Sequence, residues 1–179
     1  IVEWNVVCYS TDCEYQSVVG GCCGTNEEFI SLIADKLKNK KVKEREIIKE
    51  SLVCSPSQHL KLDGVNVVGE KINPTGKPAF KSALRNDDLD YILKVAVEEV
   101  DAGADILDVN LGLPEIDEKE KMVKIIKELQ SILDIPLQID SSDSEVVEEA
   151  LRYYNGTAIV NSVNGEAKVL EKTLPAVKK

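Results

Sequence analysis

The sequence predicts an α/β protein built from parallel strand and helix units. From Gly64 onward, short apolar runs typical of buried strands alternate with longer segments whose apolar residues recur at helical spacing. Because two parallel strands need a crossover between them, usually a helix, this alternation favours a parallel sheet. A closed barrel of eight such units needs about 250 residues. The four units counted here therefore correspond to half a barrel, and we expect the 179-residue chain to stop in the fourth helix.

The individual elements follow from their apolar residues. The predicted strands are 65–68, 104–109, a third marked by Leu137 and Ile139, and 157–163. The predicted helix stripes are Leu89, Ile92, Leu93, Ala96, Val97 and Val100; then Met122, Ile125, Ile126, Leu129, Ile132 and Leu133; then Val146, Val147, Ala150, Leu151 and Tyr154. Gly103 stops the first helix and Pro136 follows the second. Ser142 and Glu145 have the spacing of a capping box, which predicts the start of the third helix.

The part of the chain before Gly64 predicts a separate unit. Residues 17–19 are typical of a strand, and a helix is predicted from about Asn26 to Leu37. Residues 51–63 show no clear periodicity and contain proline and several serines, which is typical of a linker. We therefore expect the end of one barrel at 1–50, a linker at 51–63, and the first half of a second barrel at 64–179.

Composition narrows the class of protein. The formal net charge of −10 argues against a nucleic-acid partner, because binding phosphates requires a basic face. No apolar run approaches the roughly 20 residues that cross a bilayer. The five cysteines are an odd number and include the neighbours Cys22 and Cys23, which disfavours a secreted disulfide framework. We expect a cytoplasmic protein with reduced thiols and no membrane partner.

Polar residues close each of the four predicted strands. They are Glu70, Lys71 and Asn73; Asp108 and Asn110; Asp140 and Ser141; and Asn161, Ser162 and Asn164. In parallel barrels, functional residues lie where strands end and loops begin. Each residue taken alone could equally be a helix cap or a turn former, but the recurrence at four successive strands favours a binding site.

The residue types at these strand ends indicate the chemistry of a ligand. An aspartate accepts two charge-assisted hydrogen bonds from a guanidine-like edge, and an asparagine offers both a donor and an acceptor to a ring lactam. A pterin ring presents both edges. A nucleotide site is disfavoured, because the sequence has neither a P-loop nor a dinucleotide fingerprint.

A second candidate site is the vicinal cysteine pair in Gly20-Gly21-Cys22-Cys23-Gly24-Thr25. At a strand end the glycines allow a sharp turn, and two thiolates facing one point suit zinc. The alternative is a pair of half-buried thiols with no metal. The only histidine, His59, lies in the predicted linker, which argues against a catalytic triad.

Together these motifs resemble cobalamin-dependent methionine synthase. The Gly-Gly-Cys-Cys-Gly-Thr run is similar to the zinc-binding end of that family's homocysteine domain. The strand ends are similar to those of its pterin-binding domain, in the same order and spacing: Val68-Gly69-Glu70-Lys71-Ile72-Asn73-Pro74-Thr75-Gly76, Leu107-Asp108-Val109-Asn110, Ile139-Asp140-Ser141 and Val160-Asn161-Ser162.

The resemblance implies a function as well as a fold. It implies methyl transfer from methyltetrahydrofolate through cobalamin, carried on a separate domain, to zinc-bound homocysteine. The residues it assigns to zinc are Cys22 and Cys23, with a third cysteine upstream of this chain. Those it assigns to the pterin are Asp108, Asn110, Asp140 and Asn161, with Glu70 and Asn73 as second choices.

Three alternatives compete with this interpretation. Dihydropteroate synthase also binds a pterin, but its Asn-x-Thr-Pro-Asp-Ser-Phe and Gly-Gly-Glu-Ser-Thr stretches are absent. A methyltetrahydrofolate methyltransferase that serves a separate corrinoid protein would lack the cysteine-bearing unit. A non-catalytic truncated product is the third alternative. Because half a barrel leaves strand edges unpaired, we expect the chain alone to be inactive and prone to associate.

Overall fold

A computed structural model describes residues 24–39 and 50–177 of the chain. Contacts divide the protein into two compact units, residues 1–49 and 50–179. The strand predicted at 17–19 and the pair Cys22 and Cys23 lie outside the described residues.

The described part of the first unit is one helix. Helix α1 spans Glu27–Leu37, and its N-cap is Asn26, whose side-chain oxygen accepts a hydrogen bond from the amide nitrogen of Phe29 at 3.1 Å. Glu27 lies in the first turn, where a negative charge interacts favourably with the helix dipole. The helix predicted from Asn26 to Leu37 is confirmed.

The second unit contains two sheets and five helices among its described residues. In chain order its elements are β1 (Leu52–Cys54), β2 (His59–Lys61), β3 (Val68–Ile72), α2 (Pro78–Arg85), α3 (Leu89–Asp101), β4 (Ile106–Asn110), α4 (Glu118–Ile132), β5 (Leu137–Asp140), α5 (Ser144–Tyr153), β6 (Ile159–Asn161) and α6 (Ala167–Val177). Strands β1 and β2 form an antiparallel pair. Strands β3, β4, β5 and β6 form a parallel sheet in sequence order.

The parallel four-stranded sheet confirms the predicted α/β fold class. Right-handed crossovers between sequential neighbours put the connecting helices on one face of such a sheet. Alternate strand residues on that face, Leu107, Val109 and Ile139, are fully buried in the main apolar cluster together with the helix residues Met122 and Ile126. The opposite face is called the inner face below. Closure into a barrel, and a second barrel, stay predictions.

Two elements at the start of the sheet differ from the sequence-based prediction. The first strand was predicted at 65–68 but spans Val68–Ile72, and Val65 is 96% exposed. Residues 65–67 are the approach to the strand, and Val68 is its first residue. No helix was predicted at 78–85; helix α2 begins with Pro78 in its first turn, a common helix start, and buries Phe80.

The third predicted helix is present, but its cap is different. The side chain of Asp143, and not that of Ser142, accepts a hydrogen bond from the amide of Glu145 at 2.8 Å, so the predicted capping box is wrong. The aspartate is one residue nearer the helix, which lets its short carboxylate reach the first free amide groups. The last strand is also shorter than predicted, Ile159–Asn161.

Residues 51–63, predicted as an irregular linker, contain the β1–β2 hairpin. Strands of three residues are too short to show an alternating pattern, which explains why the sequence did not indicate them. Cys54 exchanges two backbone hydrogen bonds of 3.0 Å with Thr157, immediately before β6. The hairpin therefore belongs to the same compact unit as the parallel sheet.

Tyr154 ties the hairpin to the sheet. Its buried hydroxyl donates to the carbonyl oxygen of Cys54 at 2.8 Å and accepts from the amide of Leu137, the first residue of β5, at 3.1 Å. Burial raises the pKa of Tyr154 to about 12. Gly156 is required at this contact, since a β-carbon there would lie 2.1 Å from the Cys54 carbonyl oxygen. In the described ranges, no helix is both long and apolar enough to cross a membrane.

Candidate functional site

Three polar residues lie side by side at the carboxyl ends of adjacent strands. Asn110 of β4 pairs with Asp140 of β5, which pairs with Asn161 of β6. The side-chain nitrogen Nδ2 of Asn110 donates a hydrogen bond to Oδ2 of Asp140 at 2.9 Å. All three are partly exposed. These residues, called the strand-end row, form a polar edge open to a ligand.

Asp108 lies two residues before Asn110 and therefore on the same face of β4. It pairs with Gln138 of β5, whose Nε2 donates to Oδ1 of Asp108 at 2.5 Å. Its side chain is only 2% exposed. The inner face thus carries a buried carboxyl group beneath the strand-end row.

The surroundings of Asp108 change its acidity. Burial, which penalises the charged form, is the largest effect and raises its pKa to about 6. The hydrogen bond from Gln138 opposes that rise, while the negative charges of Asp140, Glu70 and Glu99 add to it. A carboxyl group with this pKa can gain or lose a proton close to neutral pH, so it can act as a donor or as an acceptor.

Several of the predicted strand-end residues form turns. Asn73 accepts a hydrogen bond from the amide of Thr75 at 2.9 Å, and Asn164 accepts one from that of Glu166 at 3.0 Å. Both match the turn-forming alternative. Asn110 both forms a turn and belongs to the strand-end row. Its Oδ1 accepts a hydrogen bond from the Gly112 amide at 3.0 Å, and its Nδ2 donates one to Asp140.

Ser141 also belongs to the turn formers. Its hydroxyl oxygen accepts a hydrogen bond from the amide of Asp143 at 3.1 Å, and it is buried. Glu70 is exposed in β3, and its negative charge acts on Asp108. Glu70 is therefore placed beside the site, whereas Ser141 supports the loop that follows β5.

Three residues near the site were not identified from the sequence. Gln138 could have been found, because a residue two positions before Asp140 shares its face. Lys77 donates from Nζ to the carbonyl oxygens of Glu70 at 2.8 Å and Lys71 at 3.1 Å. Glu99 reaches β3 from helix α3, a long-range contact that no local pattern indicates.

The arrangement suits a flat, polar ligand better than a metal ion. The strand-end row places a carboxylate between two side-chain amides. Together these groups can accept hydrogen bonds from the edge of a heterocycle and donate hydrogen bonds to it. Within the ranges described, no group of three or more His, Cys, Asp or Glu side chains is arranged to hold a metal. A parallel α/β sheet with polar strand ends on one edge is typical of enzymes with barrel folds.

Comparison with known proteins defines the family more closely. Residues 69–179 match the family described as pterin binding enzyme, which is more than half of the chain. The chain belongs to that family. The matched range runs from Gly69 in β3 through α6 and includes every residue of the strand-end row.

Relatives of known identity fall into two kinds. The methionine synthase of Mycobacterium tuberculosis is 30% identical over 153 residues, which are 84% of this chain and 13% of that protein. The 7,8-dihydropteroate synthase of Vibrio fischeri is 27% identical with a TM-score of 0.50, covering 70% of this chain and 47% of that one. The chain thus spans a small part of the first and about half of the second.

A further solved structure shows the fold alone. The dihydropteroate synthase of Xanthomonas albilineans, solved with 4-aminobenzoic acid, is 18% identical with a TM-score of 0.52 over 72% of this chain and 47% of that one. This likeness supports the α/β fold.

Proposed function

We propose that the chain forms part of the methyltetrahydrofolate site of a cobalamin-dependent methionine synthase. The observation that carries the proposal is the strand-end row with Asp108 beneath it, inside the range that matches the pterin-binding family. The likeness to a methionine synthase over 84% of the chain supports the choice of enzyme.

The ligand's pterin ring would lie along the strand-end row. Asp140 accepts two hydrogen bonds from the guanidine-like edge of the ring, and the hydrogen bond from Asn110 holds its carboxylate in place. The amide of Asn161 meets the ring on the other side of Asp140, because β6 is the next strand. Asp108 then contacts a ring nitrogen as a donor when neutral and as an acceptor when ionised.

The remaining parts of the reaction lie outside the described residues. The proposal assigns zinc to Cys22 and Cys23 of a homocysteine-binding barrel, and cobalamin to another domain; its support is the Gly-Gly-Cys-Cys-Gly-Thr motif. Bound zinc would supply the positive charge that keeps the homocysteine thiol ionised at neutral pH. The proposal includes a cytoplasmic location, where such thiols stay reduced.

Dihydropteroate synthase is the second candidate, because solved structures of that enzyme share the fold. The two candidates differ in the loops after the first and second strands of the parallel sheet. Here those loops read Asn73-Pro74-Thr75-Gly76 and Leu111-Gly112-Leu113-Pro114, without the stretches expected of dihydropteroate synthase. That difference favours the methyltransferase.

Replacing Asp140 by asparagine tests the proposal. The Asp140→Asn variant keeps the size of the side chain but removes the charge, so we expect methyltetrahydrofolate affinity to fall by about 1.5–3 kcal/mol, roughly 10- to 150-fold. Binding is measured by fluorescence or calorimetric titration of the full-length enzyme to which we propose the chain belongs.

The matched control is Asp101→Asn, an identical change at an exposed position at the end of α3. It should leave the affinity unchanged. Equal affinities of Asp140→Asn and the unsubstituted chain would remove Asp140 from the site. Tighter binding of 4-aminobenzoic acid than of methyltetrahydrofolate would favour the second candidate.

A further inference from the structure

Strand β3 contains an irregularity that the other parallel strands lack. Gly69 pairs with Leu107 and Ile72 with Val109, so two residues of β3, Glu70 and Lys71, stand opposite the single residue Asp108. This is the two-against-one arrangement of a β-bulge. It is called the β3 bulge below.

The β3 bulge changes which face each later residue occupies. Gly69 faces the helices, because a β-carbon there would meet Glu99 of α3 at 2.8 Å. Strict alternation would turn Ile72 to the inner face and Asn73 back towards the helices. With the extra residue, Ile72 is instead fully buried among the helix-facing residues. Continued alternation would then turn Asn73, the residue that follows β3, to the inner face. Extending the pairing of Ile72 with Val109 by one residue would bring Asn73 beside Asn110.

Glu99 holds the β3 bulge from the helix side. Its Oε1 accepts a hydrogen bond from the backbone amide of Lys71 at 2.8 Å, an amide within the bulge. The side chain is 6% exposed, and its Oε2 is buried with no hydrogen-bond partner in the described structure. A buried carboxylate with an unpaired oxygen is costly to keep. The space for it exists only because residue 69 has no side chain.

Lys77 holds the same bulge through its carbonyl groups. Its Nζ donates to the backbone oxygens of Glu70 and Lys71 at 2.8 and 3.1 Å, the two residues that form the bulge. The bulge is therefore held by a cation on its carbonyls and by an anion on its free amide. Hydrogen bonds of this kind to charged groups are stronger than neutral ones.

We propose that Glu99 and Lys77 are positioning residues that hold the β3 bulge and so place Asn73 in line with the strand-end row. Neither residue touches the ligand. They determine whether β3 contributes Asn73 to the inner face, which extends the row from three strands to four. The inference rests on the proposed function only in treating the row as the ligand site.

The first measurement is hydrogen exchange of backbone amides in the ligand-free chain. In Glu99→Ala the Lys71 amide loses its acceptor and should exchange at least about ten-fold faster, the factor that corresponds to one hydrogen bond. Glu99→Gln keeps an acceptor oxygen and should restore slow exchange. Gly69→Ala should resemble Glu99→Ala, because the new β-carbon displaces the carboxylate. The amide of Leu137 in β5 reports any general loss of structure and should not change.

The second measurement is methyltetrahydrofolate affinity in the same variants and in Lys77→Met, which keeps the chain length but loses the donor. We expect Glu99→Ala, Gly69→Ala and Lys77→Met to bind at least about ten-fold more weakly, and Glu99→Gln to bind within about three-fold of the unsubstituted chain. The matched control is Glu98→Ala, the neighbouring exposed glutamate paired with Lys94 at 3.8 Å. It should change neither exchange nor affinity.

The outcomes distinguish the role of Glu99 in the bulge from the proposed function of the ligand site. Unchanged exchange of the Lys71 amide in Glu99→Ala overturns the role of Glu99. Faster exchange with unchanged affinity overturns the link between the bulge and the ligand site. Absence of methyltetrahydrofolate binding by the unsubstituted full-length enzyme overturns the proposed function, whereas the exchange rates, measured without ligand, still decide whether Glu99 holds the bulge.

Discussion

Replacing Asp108 by asparagine should stabilise the protein at neutral pH. Burial and the nearby carboxylates raise the pKa of Asp108 from its ordinary value of 3.8 to about 6. A raised pKa means that the folded state holds the proton more tightly than the unfolded state. Stability therefore falls as the pH rises from about 4 to above 6, and the loss is complete once both states are ionised.

The size of the effect follows from the same values. The pKa of Asp108 differs by about two units between the folded and unfolded states. At 1.36 kcal/mol for each unit, this difference corresponds to about 3 kcal/mol in the free energy of unfolding. Asp108→Asn cannot ionise, and its side-chain oxygen still accepts the bond from Gln138. We expect the variant to match the unsubstituted protein near pH 4 and to exceed its free energy of unfolding by up to about 3 kcal/mol at pH 8.

Urea unfolding between pH 4 and pH 8 measures this difference. Asp101→Asn, an exposed position on α3, serves as the control for loss of one negative charge. A stability difference between Asp108→Asn and the unsubstituted protein that stays constant over this pH range would refute the reasoning, as would a difference that shrinks with rising pH. Better stability with weaker methyltetrahydrofolate binding is the pattern expected of a residue kept for function.

Two further predictions concern the hairpin and the cysteine pair. Tyr154→Phe leaves the Leu137 amide and the Cys54 carbonyl without their partner, so it should lower the free energy of unfolding by about 1–3 kcal/mol in urea titrations, while Tyr153→Phe, at the exposed neighbour, should change it by less than about 0.5 kcal/mol. Serine at both Cys22 and Cys23 should abolish zinc uptake measured with a chromogenic chelator; uptake equal to that of the unsubstituted chain would count against the zinc site.

Local sequence patterns predicted the parts of the fold that local forces determine. The apolar stripes at Ile92 and Ala96 and at Met122 and Ile126 predicted α3 and α4, because helical spacing alone places those side chains on one buried face. The parallel arrangement followed from the alternation of strands and helices. That Asn110, Asp140 and Asn161 would lie at strand ends could be expected for the same reason.

The features that the sequence did not indicate depend on contacts between distant residues. The β3 bulge is held by Glu99, which lies 28 residues from its partner Lys71, so no window of the sequence contains both halves of the pattern. The raised pKa of Asp108 likewise depends on its burial in the folded sheet and on the charges of Asp140, Glu70 and Glu99, which lie on other elements. In each case the local pattern identified a residue at the strand end, Lys71 or Asp108, but not the distant residues that contact it in the fold.

The tie between the hairpin and Tyr154 also bears on the order of folding. Cys54 and Tyr154 are 100 residues apart, and closing a flexible loop of that length costs on the order of 4 kcal/mol in chain entropy. The contact can offset that entropy cost only after α5 and β5 have formed, because the Tyr154 hydroxyl also accepts a hydrogen bond from the amide of Leu137 in β5. We therefore expect docking of the hairpin to be a late event on the folding pathway. Changes at this tie should act mainly by speeding unfolding, which makes the hairpin a determinant of kinetic lifetime and not of folding speed.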